Sequence, residues 1–233
     1  MPTYNEVESA PISINSVLAL LPSVHILVVD DGSKDGTVRA IKDACSSEFS
    51  TRLFSLERLG KQGLGSAYLA GFEWGLERGY ELLIEMDADG SHQSRDLVKL
   101  LDVFAANQRV DLVLGSRWVT GGCVIDWPIH REFLSRSANL YARWVLGCKV
   151  KDMTSGFRVY KASALKKIDF AGVQSDGYCF QIEMTQKIIS CNGVVLEVPI
   201  TFIERKYGSS KMNWKIVLEA MVRVTLWGIK RKK

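Results

Sequence analysis

The chain has 233 residues, 47% of them hydrophobic and 24% charged, with a formal net charge of +4. That composition can bury a sizeable core, which excludes a disordered or small disulfide-stapled protein and leaves one large α/β domain, or one domain with an appendage. The charge is too small for a nucleic-acid partner, because the one basic run, Lys230-Arg231-Lys232-Lys233, closes the chain and no aromatics interleave a basic block before it.

Five cysteines, odd in number and without C-x-x-C spacing, fit a reducing cytoplasm and offer no disulfide framework; with three scattered histidines they offer no zinc set either. No signal-peptide pattern is present. No window of about 18 residues is free of charge, so no membrane-spanning helix is expected.

In chain order, Val24 to Val29 reads as a strand ending at Asp30-Asp31-Gly32-Ser33, and Asp35-Gly36-Thr37 opens a helix to about Ser46. Thr51 to Glu57 is a strand, Leu64 to Arg78 a helix rich in small residues, and Tyr80 to Met86 a strand. Arg95 to Asn107 is a helix and Val110 to Leu114 a strand. This alternation implies a mostly parallel, doubly wound sheet flanked by helices.

After a loop marked by Gly121-Gly122 and Trp127-Pro128, Arg131 to Leu146 reads as an amphipathic helix. Glu132, Arg136, Asn139 and Arg143 form its polar stripe; Phe133, Leu134, Leu140, Tyr141, Trp144 and Val145 lie opposite. A strand at Phe157 to Tyr160, helices near Lys161–Ile168 and Phe180–Ser190, and a strand from Val194 to Ile203 follow. Asn213 to Ile229 is a broad apolar helix with a narrow polar stripe at Lys215, Glu219 and Arg223, running into the basic tail. Two Trp- and Arg-bearing amphipathic helices beside that tail read as membrane-surface elements or as core-packing helices.

Asp87-Ala88-Asp89-Gly90 carries the most chemistry. It follows a strand at the sheet edge where open α/β folds bind ligands. Two carboxylates so close repel unless a cation lies between them, and an oxygen-only pair suits Mg²⁺ or Mn²⁺ holding phosphates. A solvated Asp turn capping the next helix is the competing reading. Pro2-Thr3-Tyr4-Asn5-Glu6 and Asp30 to Thr37 would meet this motif at the same sheet edge, as acidic loops able to bind ribose or base, or as capping segments.

These segments, taken with Gly63 to Tyr68, Gly115-Ser116-Arg117, Ser135 to Asn139, Thr154 to Tyr160 and Arg205 to Met212, run in one order along nearly the whole chain. In that order the chain resembles the inverting, nucleotide-sugar-dependent glycosyltransferases of the Rossmann-like A-type fold, and most of all the dolichol/polyprenol-phosphate mannosyltransferases. The resemblance implies transfer of mannose from GDP-mannose to a polyprenyl phosphate with inversion. It implies a nucleoside held by Pro2, Tyr4, Glu6, Val29 and Asp31. Asp87, Ala88 and Asp89 would meet the donor diphosphate, with Asp87 and Asp89 on Mg²⁺ or Mn²⁺. Ser91 stands where some members have a Gln ligand, a poorer third ligand that water could replace. Arg117, Arg131 and Ser135 would receive the lipid phosphate, Arg136 being a neighbour of undivided role, and Arg205 and Lys211 would close on the donor phosphates. Asp89, Arg117 and Arg131 are the expected catalytic residues.

The same resemblance implies one catalytic unit over 1–212 and an amphipathic helix with basic tail over 213–233. The two amphipathic helices and the basic tail lead to an expectation of peripheral attachment to the cytoplasmic face of a membrane, with firm retention requiring a separate membrane-spanning partner or domain. The resemblance also places an apolar strand directly before Pro2, and the chain begins at Met1, so that strand is expected to be missing. A UDP-glucose-dependent polyprenyl-phosphate glucosyltransferase, a transferase to a glycan and a non-catalytic nucleotide-sugar-binding subunit remain as alternatives.

Overall fold

Three stretches that can lie extended, Pro2–Thr3 (β1), Ile26–Asp30 (β2) and Leu53–Glu57 (β3), pair in parallel in the order β1-β2-β3. The computed structural model describes residues 1–45, 49–173, 175, 177–207 and 214–231, with side chains except at 214–219, 230 and 231. Helices Ala10–Leu20 (α1), Thr37–Ala44 (α2) and Leu64–Glu77 (α3) connect these strands and lead to Leu82–Glu85 (β4). Ser94–Ala106 (α4), Leu112–Ser116 (β5), Cys123–Ile125 (β6), Ile129–Leu146 (α5) and Arg158–Lys161 (β7) follow. Ala162–Leu165 (α6), Gly177–Ser190 (α7), Val195–Pro199 (β8), Thr201–Ile203 (β9) and Trp214–Arg231 (α8) complete the order.

The second sheet runs β4-β7-β5-β8, with β7 antiparallel to both neighbours and β8 parallel to β5. Alternate residues of its strands point to opposite faces. Leu112, Leu114 and Tyr160 therefore join one apolar cluster with Tyr68, Phe72 and Phe180, while Val113 and Val159 join another with Ile14, Ile26 and Leu97. Helices cover both faces, as the alternation of elements implies. Between β2 and β4 lies a cavity of about 120 Å³ lined in part by Leu27, Leu83 and Ile84. The Met1 amine donates to Leu27 O at 2.8 Å beside it, and burial pushes that amine down to about 5.

Two local features depart from the sequence expectation, and a third bears on a choice the sequence left open. Helix α1 was not foreseen; Pro11 at its first turn is a start signal, and Ala10, Ile14, Val17 and Leu18 form its buried stripe. The stretch Val194 to Ile203 is two strands, because the chain leaves β5 after Pro199 and β9 pairs with β6, which lies inside the region read as a loop. Helix α5 is turned outward. Its buried stripe is Ser135, Asn139, Ala142 and Leu146, while Phe133 is 72% and Trp144 80% exposed, with Ile129 and Leu140 also exposed. Asn139 is buried because its amide works inside, donating to Thr154 Oγ1 at 3.0 Å and accepting from Met153 N–H at 2.7 Å. Helix α8 packs on α5 so closely that a Cβ on Gly228 would sit 2.5 Å from Val145 Cγ1 and 3.0 Å from its carbonyl oxygen. Met221, Val222, Leu226 and Ile229 are exposed and extend the apolar surface of α5. Among the described residues no helix is long and apolar enough to cross a membrane.

Arg158 on β7 is wholly buried and faces Glu85 across the ladder. Its guanidinium donates five hydrogen bonds, to Ser155 O, Tyr160 Oη, Gln181 O, Thr185 Oγ1 and Met153 O. Burial pushes the Glu85 carboxyl up to about 7, with Arg158 pulling the other way. Removing one partner of such a network strands the other groups. Arg158→Met should therefore lower unfolding free energy by about 3–5 kcal/mol in denaturant titration; a loss under about 1 kcal/mol would show that the network is incidental.

Candidate active site

Two loops are fastened together at the carboxyl ends of β1 and β2. Asn5 takes a left-handed backbone, φ +54°, and is held by Ser33 and Lys34: Asn5 N–H donates to Ser33 Oγ at 2.8 Å and Lys34 N–H to Asn5 Oδ1 at 3.0 Å. Glu6 N–H donates to Thr37 Oγ1 at 2.9 Å. Asp30 is spent on structure, accepting from Thr3, from the Ser33 hydroxyl and from Ser33 N–H. Asp31 pairs with buried Arg58 at 3.0 Å and accepts from Gln62 and Gly63 N–H at 3.2 Å. It thereby fixes the loop that places Lys61 over the Tyr4 ring at 4.8 Å. Pro2, Tyr4, Glu6, Asp31, Lys61, Asp87, Ala88, Asp89, Thr154, Gly156, Tyr178, Gln181 and Arg205 all line one cleft of about 400 Å³.

The floor of that cleft is acidic and buried. Asp87 Oδ1 accepts from the Tyr68 hydroxyl at 2.9 Å, and Asp87 N–H donates to His92 Nδ1 at 3.2 Å. Asp89 Oδ1 accepts Ser91 N–H at 3.0 Å, and Asp89 Oδ2 lies 3.3 Å from Arg205 Nη1. Burial raises the Asp87 carboxyl above the usual range, against the pull of His92. A raised carboxylate beside a second one is a site short of positive charge. Each carboxylate keeps one oxygen without a backbone or hydroxyl donor. The donor set is therefore right for a hard divalent ion completed by phosphate oxygens and water. Ser91 Oγ is fully buried and has no hydrogen-bond partner among the described residues. Gln93 turns away, its amide donating to Gly90 O at 3.1 Å. No cluster of three or more His, Cys, Asp or Glu able to hold a metal exists among the described residues.

A second cavity, about 300 Å³, lies between α5, α7 and α8. Leu134, Ala138, Tyr141, Ile182, Met221 and Val224 give it apolar walls, and Arg117, Arg131 and Ser135 stand at its polar end. Thr154 and Tyr178 line both this cavity and the acidic cleft, so the two meet there. Arg117 is buried and doubly bonded to Asp152, Nε to Oδ2 and Nη2 to Oδ1 at 2.7 Å each, with Nη2 also on Thr154 Oγ1 at 2.9 Å. Burial acts against the Asp152 charge, but Arg117 holds its carboxyl below the usual range. Arg131 pairs with Glu204, and its Nε is buried without an acceptor among the described residues. The Trp127 ring lies between the two guanidiniums, 5.3 Å from Arg117 and 4.1 Å from Arg131, a cation–π arrangement that tolerates their like charge. The indole nitrogens of Trp118 and Trp127 are also buried without acceptors among the described residues.

The structure thus brings Pro2, Tyr4, Glu6, Asp31, Asp87, Ala88, Asp89 and Arg205 to one cleft, and Arg117, Arg131 and Ser135 to the adjoining cavity. Val29 does not reach the cleft: its side chain is 2% exposed and turned toward Gly71 of α3. Arg136 separates from its neighbours, being exposed, paired with Glu132 and stacked on Trp118 at 4.1 Å. Lys211 and the stretch 208–210 lie outside the described residues. Sequence reasoning missed Arg58, Lys61, Trp127, Asp152, Tyr178 and Glu204. Asp152 and Glu204 stood beside recognised motifs, but their partners Arg117 and Arg131 lie 35 and 73 residues away in the sequence.

Residues 1–169 match the family described as glycosyl transferase family 2. Over 99% of its length the chain is 50% identical to a polyprenol monophosphomannose synthase of Mycolicibacterium smegmatis, covering 86% of that protein. Over 98% of its length it is 46% identical to an undecaprenyl-phosphate mannosyltransferase of Micrococcus luteus, covering 92% of it. In fold it is similar to crystal structures of glucosyl-3-phosphoglycerate synthase from Mycobacterium tuberculosis. The complex with Mn²⁺, uridine-diphosphate-glucose and phosphoglyceric acid aligns with a TM-score of 0.69 at 15% identity, over 98% of this chain and 78% of that one. With the acidic cleft at the strand ends and this extent of similarity, the chain belongs to glycosyl transferase family 2 and is a glycosyltransferase of the A-type fold.

Proposed function

We propose that the chain transfers mannose from GDP-mannose to a polyprenyl phosphate with inversion, at a membrane surface. The observation that carries this reading is the junction of the two cavities. An acid-floored cleft suited to a nucleotide diphosphate meets, at Thr154 and Tyr178, an apolar cavity that ends on two guanidiniums. A lipid with an anionic head fits the second cavity, tail along α5 and α8 and phosphate at Arg117 and Arg131. The names of the relatives in Mycolicibacterium smegmatis and Micrococcus luteus support the same acceptor class and sugar.

The acceptor phosphate is already an anion and needs no general base. Its oxygen forms a bond to the anomeric carbon as the bond from that carbon to the donor diphosphate breaks, GDP leaves, and the mannose becomes β-linked. Asp87 and Asp89, with Ser91 at the position expected of a third ligand, would hold Mg²⁺ or Mn²⁺; that ion would supply charge neutralisation for the leaving diphosphate. Arg205 supports the same developing charge, and Arg131 and the Nη1 side of Arg117 hold the attacking phosphate. Tyr4 and Lys61 offer a ring and a cation to the nucleoside end. The exposed faces of α5 and α8 would rest on the cytoplasmic leaflet, helped by the basic tail and a membrane-spanning partner.

The direct test supplies labelled GDP-mannose or UDP-glucose with polyprenyl phosphate and Mg²⁺. Label should enter the lipid fraction from GDP-mannose; equal transfer from UDP-glucose would contradict the donor assignment, and donor binding without transfer would make the chain a non-catalytic binder.

Site variants separate the two cavities. Asp89→Asn should lower turnover on the order of 10²-fold or more while the thermal transition stays intact. Arg131→Ala should weaken use of lipid phosphate by about 1.5–3 kcal/mol without weakening donor affinity. Arg117→Ala would also strand buried Asp152, so Arg131 gives the cleaner reading. Equal loss of GDP-mannose affinity in Arg131→Ala would assign that residue to the donor side.

For membrane attachment, Phe133→Glu with Trp144→Glu should abolish flotation with anionic liposomes without unfolding the chain, since both side chains are exposed. Unchanged flotation of that double variant would assign the patch another role.

A further inference from the structure

The guanidinium of the acceptor cavity already has an anion. Arg131 Nη1 holds Glu204 Oε2 in an ion pair whose members are 12% and 23% exposed. The other carboxylate oxygen, Oε1, accepts Arg205 N–H at 3.2 Å and lies 3.9 Å from Arg205 Nε. That Nε is buried and has no hydrogen-bond partner among the described residues. Arg205 Nη1 lies 3.3 Å from Asp89 Oδ2. Asp89, Arg205, Glu204 and Arg131 therefore alternate in sign from the acidic cleft to the apolar cavity. The line is short and braced: Glu204 follows β9, and Ile203 N–H donates to Ser91 O at 3.1 Å, which ties β9 to the loop carrying Asp89.

We propose that Glu204 is an internal counter-ion that couples the donor and acceptor sites, an inference that rests on the acceptor reading above. Without substrates the pairs are Asp89–Arg205 and Glu204–Arg131. An acceptor phosphate arriving at Arg131 competes with Glu204, which then closes on the waiting Nε of Arg205 and draws Arg205 off Asp89. A donor that engages Asp89 frees Arg205 for Glu204 in the same way, and so loosens Glu204 from Arg131. The ion pairs shift by one place along the line, and each substrate favours the other. Such coupling is reciprocal by thermodynamic necessity. The planar guanidinium of Arg205 serves both partners, with Nε on Glu204 and its terminal nitrogens on the diphosphate.

The test is binding of farnesyl phosphate in detergent micelles to the full chain, followed by calorimetry and by the fluorescence of Trp127, with and without GDP and Mg²⁺. In the unsubstituted chain the nucleotide should tighten farnesyl phosphate by about tenfold. Glu204→Gln should bind farnesyl phosphate more tightly than the unsubstituted chain when nucleotide is absent, and nucleotide should then change little. Glu204→Asp, which keeps the charge, should restore part of the coupling. Full coupling in Glu204→Gln, weaker nucleotide-free binding in that variant, or no coupling in the unsubstituted chain would each overturn the proposal while leaving the acceptor reading in place. The acceptor reading itself fails, and the proposal with it, if the unsubstituted chain neither binds farnesyl phosphate nor transfers mannose.

Discussion

The constraint on which the structure depends is the crowding of Glu85, Asp87 and Asp89 at alternate positions at and just beyond the end of β4, with Glu85 and Asp89 buried and Asp87 partly so. Three carboxylates in a water-poor setting are tolerated only where cations or donors meet them. Arg158 answers from below, and this gives the antiparallel strand β7 its place beside β4. Tyr68 and the Ser91 amide answer from the sides, and Arg205 from above. The compensation stops short at both Glu85 and Asp87, whose carboxyls stay raised by desolvation. An acidic pair left under-compensated at a sheet edge suits the cation and diphosphate proposed for it.

The acceptor side solves the opposite problem. Two guanidiniums sit next to an apolar cavity, and each is neutralised by a carboxylate of the chain itself, Arg117 by Asp152 and Arg131 by Glu204. The two pairs differ in kind. Asp152 is fully buried, makes three bonds to Arg117, and holds that guanidinium rigidly. Glu204 is partly exposed and shared with Arg205, so it can be exchanged. Rigid placement of one cation and exchangeable coverage of the other suit the acceptor phosphate proposed for this cavity.

Much of this was legible in the sequence, and the unread parts have physical reasons. The Asp87–Asp89 motif, Arg117, Arg131, Ser135 and Arg205 could be placed because their segments keep a fixed order along the chain, and the α/β alternation was plain from apolar runs ending at turn residues. Helix α5 stayed ambiguous in the sequence, because its polar stripe contains Asn139, whose amide is used inside the protein, while Phe133 and Trp144 face out. Amphipathic pattern gives the two faces of a helix but not which one meets solvent. The split at Ile200 was invisible because both halves of that run are β-formers, and only tertiary pairing with β6 divides them. Glu204 and Asp152 escaped notice because an ion pair across 73 or 35 residues leaves no local signal.

The central claim is that a divalent ion with the donor diphosphate and an acceptor phosphate occupy adjoining sites that meet at Thr154 and Tyr178. A crystal structure with Mn²⁺, GDP and farnesyl phosphate tests it most directly, using the anomalous signal of manganese. That signal should lie at Asp87 and Asp89 and the lipid phosphate at Arg117 and Arg131, with the isoprenoid between α5 and α8. Manganese away from both carboxylates, or the lipid phosphate bound outside the Arg117–Arg131 cavity, would contradict it.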